Sequence, residues 1–135
     1  MEIVSKSPEQ TKKIARDLAK RLSGEDIVCL FGDLGTGKTV FVQGLAEGLG
    51  IKKRVLSPSF LTMREYDKLV HLDFYHQVNE SIKGLDLQEI FTSGKIIVIE
   101  WADKIKKFLP RQRLDIFFEF LNDDTRRIRI VKQGS

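Results

Sequence analysis

One cysteine, three prolines and one tryptophan are all that 135 residues contain of these types. With Cys29 alone, no internal disulfide can form, so a cross-linked secreted scaffold is excluded. Cys29 stands inside an apolar run, which predicts a buried, unreactive thiol. Long hydrophobic runs are missing as well. None approaches the ~20 residues of a membrane span, and Met1-Glu2-Ile3 opens no apolar signal core. The expectation is therefore a cytoplasmic protein with no membrane partner. Histidine is scarce: His71 and His76 have no Cys or His cluster around them, so a zinc site is not expected, and both read as structural or surface groups. Repeats, low-complexity tracts and linkers are absent, and the length suits a single domain over residues 1–135. The remainder is ordinary globular composition, 41% hydrophobic and 31% charged, with a net charge of +4. That excess suits an anionic ligand or RNA, but the Lys and Arg residues are scattered, and a solvated surface is the simpler reading.

Ser7-Pro8-Glu9-Gln10 reads as a helix start, with a Ser cap, Pro in the first turn and Gln three residues after the cap. Ile14, Ala15, Leu18, Ala19 and Leu22 recur at helical spacing, and Gly24 is expected to stop the helix. Ile27-Val28-Cys29-Leu30-Phe31 is an unbroken apolar run, which predicts a strand covered on both faces as in a parallel sheet. Thr39 to Leu49 predicts a second helix closed by Gly50. Arg54 to Leu56 reads as a short strand. Leu61 to Tyr66 and Leu69 to Phe74 suggest a hairpin around Asp67-Lys68; the second strand alternates, which predicts a half-buried, more peripheral position. Asn79 to Ile82 and Leu85 to Phe91 read as short helices. Ile96-Ile97-Val98-Ile99 is a second central strand ending at Glu100. A short helix reaches to about Phe108, Leu109-Pro110 breaks the chain, and Leu114 to Leu121 with Arg126 to Val131 form a terminal hairpin. Phe117-Phe118-Glu119-Phe120 reads as core rather than as a base-stacking platform.

Between the first strand and the second helix, Gly32-Asp33-Leu34-Gly35-Thr36-Gly37-Lys38-Thr39 satisfies G-x-x-x-x-G-K-[ST] in the strand–loop–helix context that motif requires. Its amides, from about Leu34 to Thr39, are expected to point at phosphate oxygens, helped by the helix N-terminus. Lys38 would bridge the β- and γ-phosphates of a nucleoside triphosphate, and the Thr39 hydroxyl would ligate Mg²⁺. Such a site needs a carboxylate at the end of a neighbouring strand. Glu100, after four uninterrupted apolar residues, is the first choice; Asp73 is a second acidic group near the γ-phosphate. Ser57-Pro58-Ser59 follows the strand after the phosphate-loop helix, where P-loop proteins place a switch segment; as plain sequence it reads equally as an ordinary Ser/Pro turn. Trp101 either covers the site or packs beside it.

The fold class predicted is α/β: a P-loop three-layer arrangement, with a central, mostly parallel sheet flanked by helices and antiparallel hairpin additions. No Asn-Lys-x-Asp guanine-reading motif is present, which argues against a GTPase. The chain is short for a motor ATPase, and no Arg-rich lid stands out between Glu100 and Pro110, as a kinase would need. No resident arginine finger is evident. A minimal ATPase acting on a partner remains, with a small-molecule or nucleoside kinase as the alternative.

The phosphate loop, then Gln43-Gly44-Leu45, Gly48-Leu49-Gly50, Ser57-Pro58-Ser59-Phe60, Tyr66, His71-Leu72-Asp73-Phe74-Tyr75, Ile99-Glu100-Trp101 and Leu109-Pro110 occur in order. Together they closely resemble the TsaE (YjeE) family over essentially the whole chain. The resemblance implies an ATPase required for threonylcarbamoyladenosine in tRNAs that read codons starting with A. TsaE-like proteins bind the TsaD–TsaB heterodimer, in which TsaD transfers the group, and their ATP hydrolysis supports turnover. tRNA contact is then indirect, and DNA is not a partner. By match, Lys38 and Thr39 are the phosphate and Mg²⁺ residues, Glu100 the metal carboxylate, Asp73 the acidic residue needed for activity, Ser57-Pro58-Ser59 the switch, and Trp101 the tryptophan beside the site. Thr11 matches a threonine near the nucleotide base. Two positions depart from the family: Ser59 stands where Thr is usual, which keeps the hydroxyl, and His76 stands where Arg is usual.

Overall fold

The two unbroken apolar runs become neighbouring strands in the middle of one sheet. The computed structural model describes residues 1–33, 35–52, 63–75 and 86–134. The strands are β1 (Glu2–Ser5), β2 (Ile27–Phe31), β3 (Met63–Glu65), β4 (Leu69–Asp73), β5 (Ile96–Glu100), β6 (Arg113–Asn122) and β7 (Thr125–Gln133). They form one mixed sheet in the order β1-β7-β6-β2-β5-β4-β3. Its four central strands, β6, β2, β5 and β4, run parallel. The outer pairs are antiparallel: β1 with β7, β7 with β6, and β3 with β4. The described helices are α1 (Pro8–Ala19), α2 (Lys38–Gly48), α3 (Leu87–Phe91) and a 3₁₀ segment, Ala102–Phe108.

Strands buried on both faces show continuous apolar sequence because each neighbouring layer needs an apolar surface. One layer packs α1 and α2 on the sheet through Ala15, Ala19, Phe41, Val42 and Leu45 against Val28, Leu30, Val98 and Ile116. The other packs α3 and the 3₁₀ segment through Leu87, Phe91 and Ile105 against Cys29, Leu72, Ile97 and Ile99. Cys29 is fully buried, and the loss of water around it pushes its thiol up to about 12. The sulfur is a small hydrophobe here, as its setting in the sequence suggests.

Several sequence expectations shift. β4 is an interior strand, not a peripheral one: Leu69 through Leu72 are all buried. Its alternation is broken in effect because His71, polar in sequence, is completely enclosed. α1 ends at Ala19, before Gly24, and Lys20 still has right-handed helical angles. The chain leaves the helix through two tight turns, Arg21 N–H to the Leu18 carbonyl and Leu22 N–H to the Ala19 carbonyl. The start of α1 is as expected: Gln10 N–H donates to Ser7 Oγ at 3.1 Å, and Gln10 Oε1 accepts from Lys6 N–H at 2.7 Å. β1 is an addition with no sequence forecast, four residues long, whose pairing partner lies at the other end of the chain. In the terminal hairpin only part of the Phe-rich stretch is core. Phe118 is buried, whereas Phe120 is 54% exposed. The expected strand at 54–56 and helix at 79–82 lie outside the described residues.

The α1–α2 contact is close because Gly44 and Gly48 of α2 face α1. Exposed ion pairs from Lys12 and Arg16 to Glu47 cross the same seam, but pairs of this kind add little. A methyl at Gly44 would stand 2.6 Å from the Lys12 carbonyl oxygen and 2.7 Å from Ala15 Cβ. Replacing Gly by Ala gains about 1 kcal/mol in helix propensity, while overpacking costs about 1–3 kcal/mol. The contacting atoms are backbone and a Cβ, which cannot rotate aside, so overpacking should win. Gly44→Ala is expected to lower the urea midpoint of unfolding, and a variant more stable than the parent would show that α1 has room to move.

Candidate functional site

β2 ends at Phe31 and the chain turns through the glycine loop into α2. Gly32 has φ 154° and Gly37, the residue capping α2, has φ 97°, angles that L side chains rarely adopt. Gly32 also has no room for a side chain, since a Cβ would meet Thr36 Oγ1 at 2.8 Å and the Phe118 carbonyl oxygen at 2.9 Å. The loop is braced from within. Thr36 Oγ1 donates to the Asp33 carbonyl at 2.6 Å, and Lys38 Nζ donates to the Gly32 carbonyl. Arg126 of β7 braces it from outside, its Nη2 donating to the Gly35 carbonyl at 3.0 Å.

Parallel pairing sets the acidic residues beside this loop. Leu30 is in register with Glu100, and Glu100 with Asp73. Glu100 is 3% exposed. Its Oε1 lies 3.5 Å from the Thr39 hydroxyl, and its Oε2 lies 2.6 Å from His71 Nε2. Asp73 accepts from Tyr75 N–H at 2.9 Å. Burial pushes its carboxyl above the usual range, against the lowering effect of that N–H, and the charge of Glu100 adds to the rise. Lys38 is 5% exposed. Burial pulls its ammonium below the usual lysine range, opposed by the nearby charges of Glu100 and Asp73. Its Nζ also sits 3.7 Å from the centre of the Trp101 ring, in cation–π contact. Trp101 holds a left-handed backbone at φ 58°, a conformation that costs a bulky residue about 1–3 kcal/mol. Tyr75 packs against its ring at 4.9 Å.

These groups open on a cleft of about 480 Å³, within the range of small-ligand sites. Gly35, Gly37, Lys38 and Thr39 form its floor with Asp73, Glu100 and Trp101; Ser7, Pro8 and Thr11 lie on its wall, with Asp123, Asp124 and Arg126. Lys38, Thr39, Asp73, Glu100, Trp101 and Thr11 thus line one cleft. Asp33 is exposed, and Thr36 is buried with its hydroxyl turned back into the loop; neither side chain lines the cleft. Leu34, Ser57, Pro58, Ser59 and His76 lie outside the described residues. Sequence reasoning misses the hairpin-tip groups; of its two readings of His71, structural or surface, burial excludes the second. Arg126 also lines the cleft; its guanidinium is engaged by the carbonyls of Asn122, Thr125 and Gly35.

The donor set suits a hard cation shared with phosphate. Among the described residues no cluster of three His, Cys, Asp or Glu side chains could hold a metal by itself. Thr39 and Glu100 supply two oxygens near each other, and Mg²⁺ takes few protein ligands and completes its shell from phosphates and water. The described residues contain no helix long and apolar enough to cross a membrane.

Comparison with known proteins shows the family and the fold. The family described as threonylcarbamoyl adenosine biosynthesis protein TsaE matches residues 5–128. A protein of Bacillus subtilis (strain 168) named tRNA threonylcarbamoyladenosine biosynthesis protein TsaE is 41% identical over 96% of this chain and 84% of its own length. Its namesake from Aquifex aeolicus is 34% identical over 98% and 96%. The crystal structure of Bacillus subtilis YdiB superposes with a TM-score of 0.87 at 36% identity, covering 99% of this chain and 86% of the other.

The geometry makes Lys38 and Trp101 a test of where phosphate goes. An ATP phosphate reaching Lys38 must draw the ammonium off the indole face, so the fluorescence of Trp101, the sole tryptophan, should change on ATP addition. Lys38→Ala should keep the far-UV circular dichroism of the parent and weaken ATP binding roughly 10- to 100-fold, the worth of one charge-assisted hydrogen bond. Parent-like affinity in that variant would move the phosphate site elsewhere.

Proposed function

The chain belongs to the TsaE family of threonylcarbamoyl adenosine biosynthesis, and from that premise we propose that it is a Mg²⁺-dependent ATPase acting on the TsaD–TsaB pair during modification of tRNAs that read codons starting with A. It does not itself transfer the threonylcarbamoyl group. The observation that carries this reading is the convergence of Lys38, Thr39, Asp73 and Glu100 on one cleft at the phosphate loop.

The residues divide the work by position. The loop amides and Lys38 hold the triphosphate and carry the charge that grows on it as the γ-phosphoryl group is lost. Thr39 and Glu100 would hold Mg²⁺, which when bound would neutralise phosphate charge. Glu100 is committed on one oxygen to His71 and on the other faces Thr39, so Asp73 is the carboxylate left to orient the attacking water. The base and ribose lie along the wall formed by Pro8, Thr11 and the β6–β7 turn. Arg126 is occupied by backbone carbonyls, which keeps it a brace of the loop rather than a finger on the γ-phosphate. Basal hydrolysis is accordingly slow and the partner raises it. tRNA meets this subunit through the complex.

Phosphate release should be measured on the isolated chain and again with the TsaD and TsaB homologues, beside a screen for phosphorylated small molecules. The expected result is slow release alone, at least tenfold faster release with the pair, and no phosphorylated product. Equal rates with and without the pair would remove the partner from the mechanism, and a phosphorylated metabolite would make the protein a kinase.

A further inference from the structure

His71 has no task in the mechanism above, yet it is fully buried and touches the carboxylate at its centre. Asp73 is in register with Glu100 and His71 with Val98, so His71 is the diagonal neighbour of Glu100 on the α2 face of the sheet, a separation that long side chains bridge. The 2.6 Å between His71 Nε2 and Glu100 Oε2 is short even for a charge-assisted N–H···O bond. Where the carboxylate oxygen is the acceptor, Nε2–H is the donor of this bond.

The other ring nitrogen shows what the histidine is for. Nδ1 is buried and has no hydrogen-bond partner among the described residues. An unsatisfied buried polar atom costs about 1–3 kcal/mol, and an apolar side chain of similar size would fill the space without that cost. The bond to Glu100 is what the imidazole offers in exchange. Glu100 needs it, because the terminal torsion of a glutamate is broad and does not by itself select an orientation. With Oε2 held by His71, Oε1 is the oxygen turned toward Thr39.

We propose that His71 is a positioning residue: its Nε2–H fixes the Glu100 carboxylate with Oε1 toward Thr39 and thereby sets the affinity of the site for Mg²⁺. This rests on Thr39 and Glu100 being the metal-side groups. Partners that orient a ligating carboxylate from behind typically change metal affinity 10- to 100-fold when removed.

The test compares the parent with His71→Leu and His71→Gln, the glutamine placing an amide N–H where Nε2 stood. ADP binding is measured by calorimetry without metal and across a Mg²⁺ series, with thermal unfolding alongside. Metal-free ADP affinity should be unchanged in both variants. The Mg²⁺ concentration for half-maximal tightening should rise roughly 10- to 100-fold in His71→Leu and stay within about threefold of the parent in His71→Gln. Nitrogen-15 NMR of the unliganded parent should show the proton on Nε2, a readout that needs no variant to fold. A folded His71→Leu with parent-like Mg²⁺ dependence, a His71→Gln as impaired as His71→Leu, or a proton on Nδ1 alone would each overturn the proposal. Absence of any Mg²⁺ effect on ADP binding by the parent would instead remove the metal-side reading of Thr39 and Glu100, and the proposal with it.

Discussion

Parallel pairing of β2 with β5 and of β5 with β4 holds Leu30, Glu100 and Asp73 in a single row across three strands, and everything at the cleft is hung from that row. β2 delivers the glycine loop two residues past Leu30. The side-chain period of a strand is two, so a slip of one residue in β5 would send Glu100 to the α3 face and bring Ile99 to the loop. Burial forbids that slip. Ile97 and Ile99 pack with Leu72 and Ile105 on one side while Ile96 and Val98 pack under α1 and α2 on the other. The hydrophobic layers thus set the electrostatics of the site without touching the ligand.

Within the cleft, one buried ammonium faces two buried or half-buried carboxylates. Desolvation lowers Lys38 and raises Asp73, while the mutual charges pull Lys38 the other way. Burying charge is tolerable only with partners, and the protein supplies them from its own backbone and ring: the Gly32 carbonyl and the Trp101 face for Lys38, Tyr75 N–H for Asp73. The left-handed backbone of Trp101 follows from this need, since the ring must turn back over the loop directly after β5 ends at Glu100.

The parts legible in the sequence are those whose signal is local. The phosphate loop lies within eight consecutive residues, and β2 and β5 announce themselves as unbroken apolar runs, so the proximity of Lys38, Thr39 and Glu100 could be expected before any coordinates. His71 was hidden because a polar residue between Val70 and Leu72 reads as the solvent face of an alternating strand. Only the placement of β4 beside β5, with both faces covered, shows it to be interior. Arg126 was hidden for a different reason. It lies 91 residues from Gly35 along the chain, and no spacing rule connects a hairpin turn to a phosphate loop. β1 is too short to show a period and is defined by its pairing with β7 alone.

That pairing has a consequence for the cleft. Its wall draws on both ends of the chain, Ser7, Pro8 and Thr11 from the start and Asp123, Asp124 and Arg126 from the last hairpin. β1 joins these two parts through the register of Ile3 with Ile128 and Ser5 with Arg126. Ser5 Oγ then meets Thr11 Oγ1 at 2.7 Å, both buried, which ties the first turns of α1 to the strand edge. Among the described residues, this side of the cleft is therefore held by backbone ladder bonds and a buried hydroxyl pair. Because β7 also carries Arg126 to the Gly35 carbonyl, the wall and the phosphate loop are joined, and a brace of this kind lowers the ordering cost of a ligand that spans both.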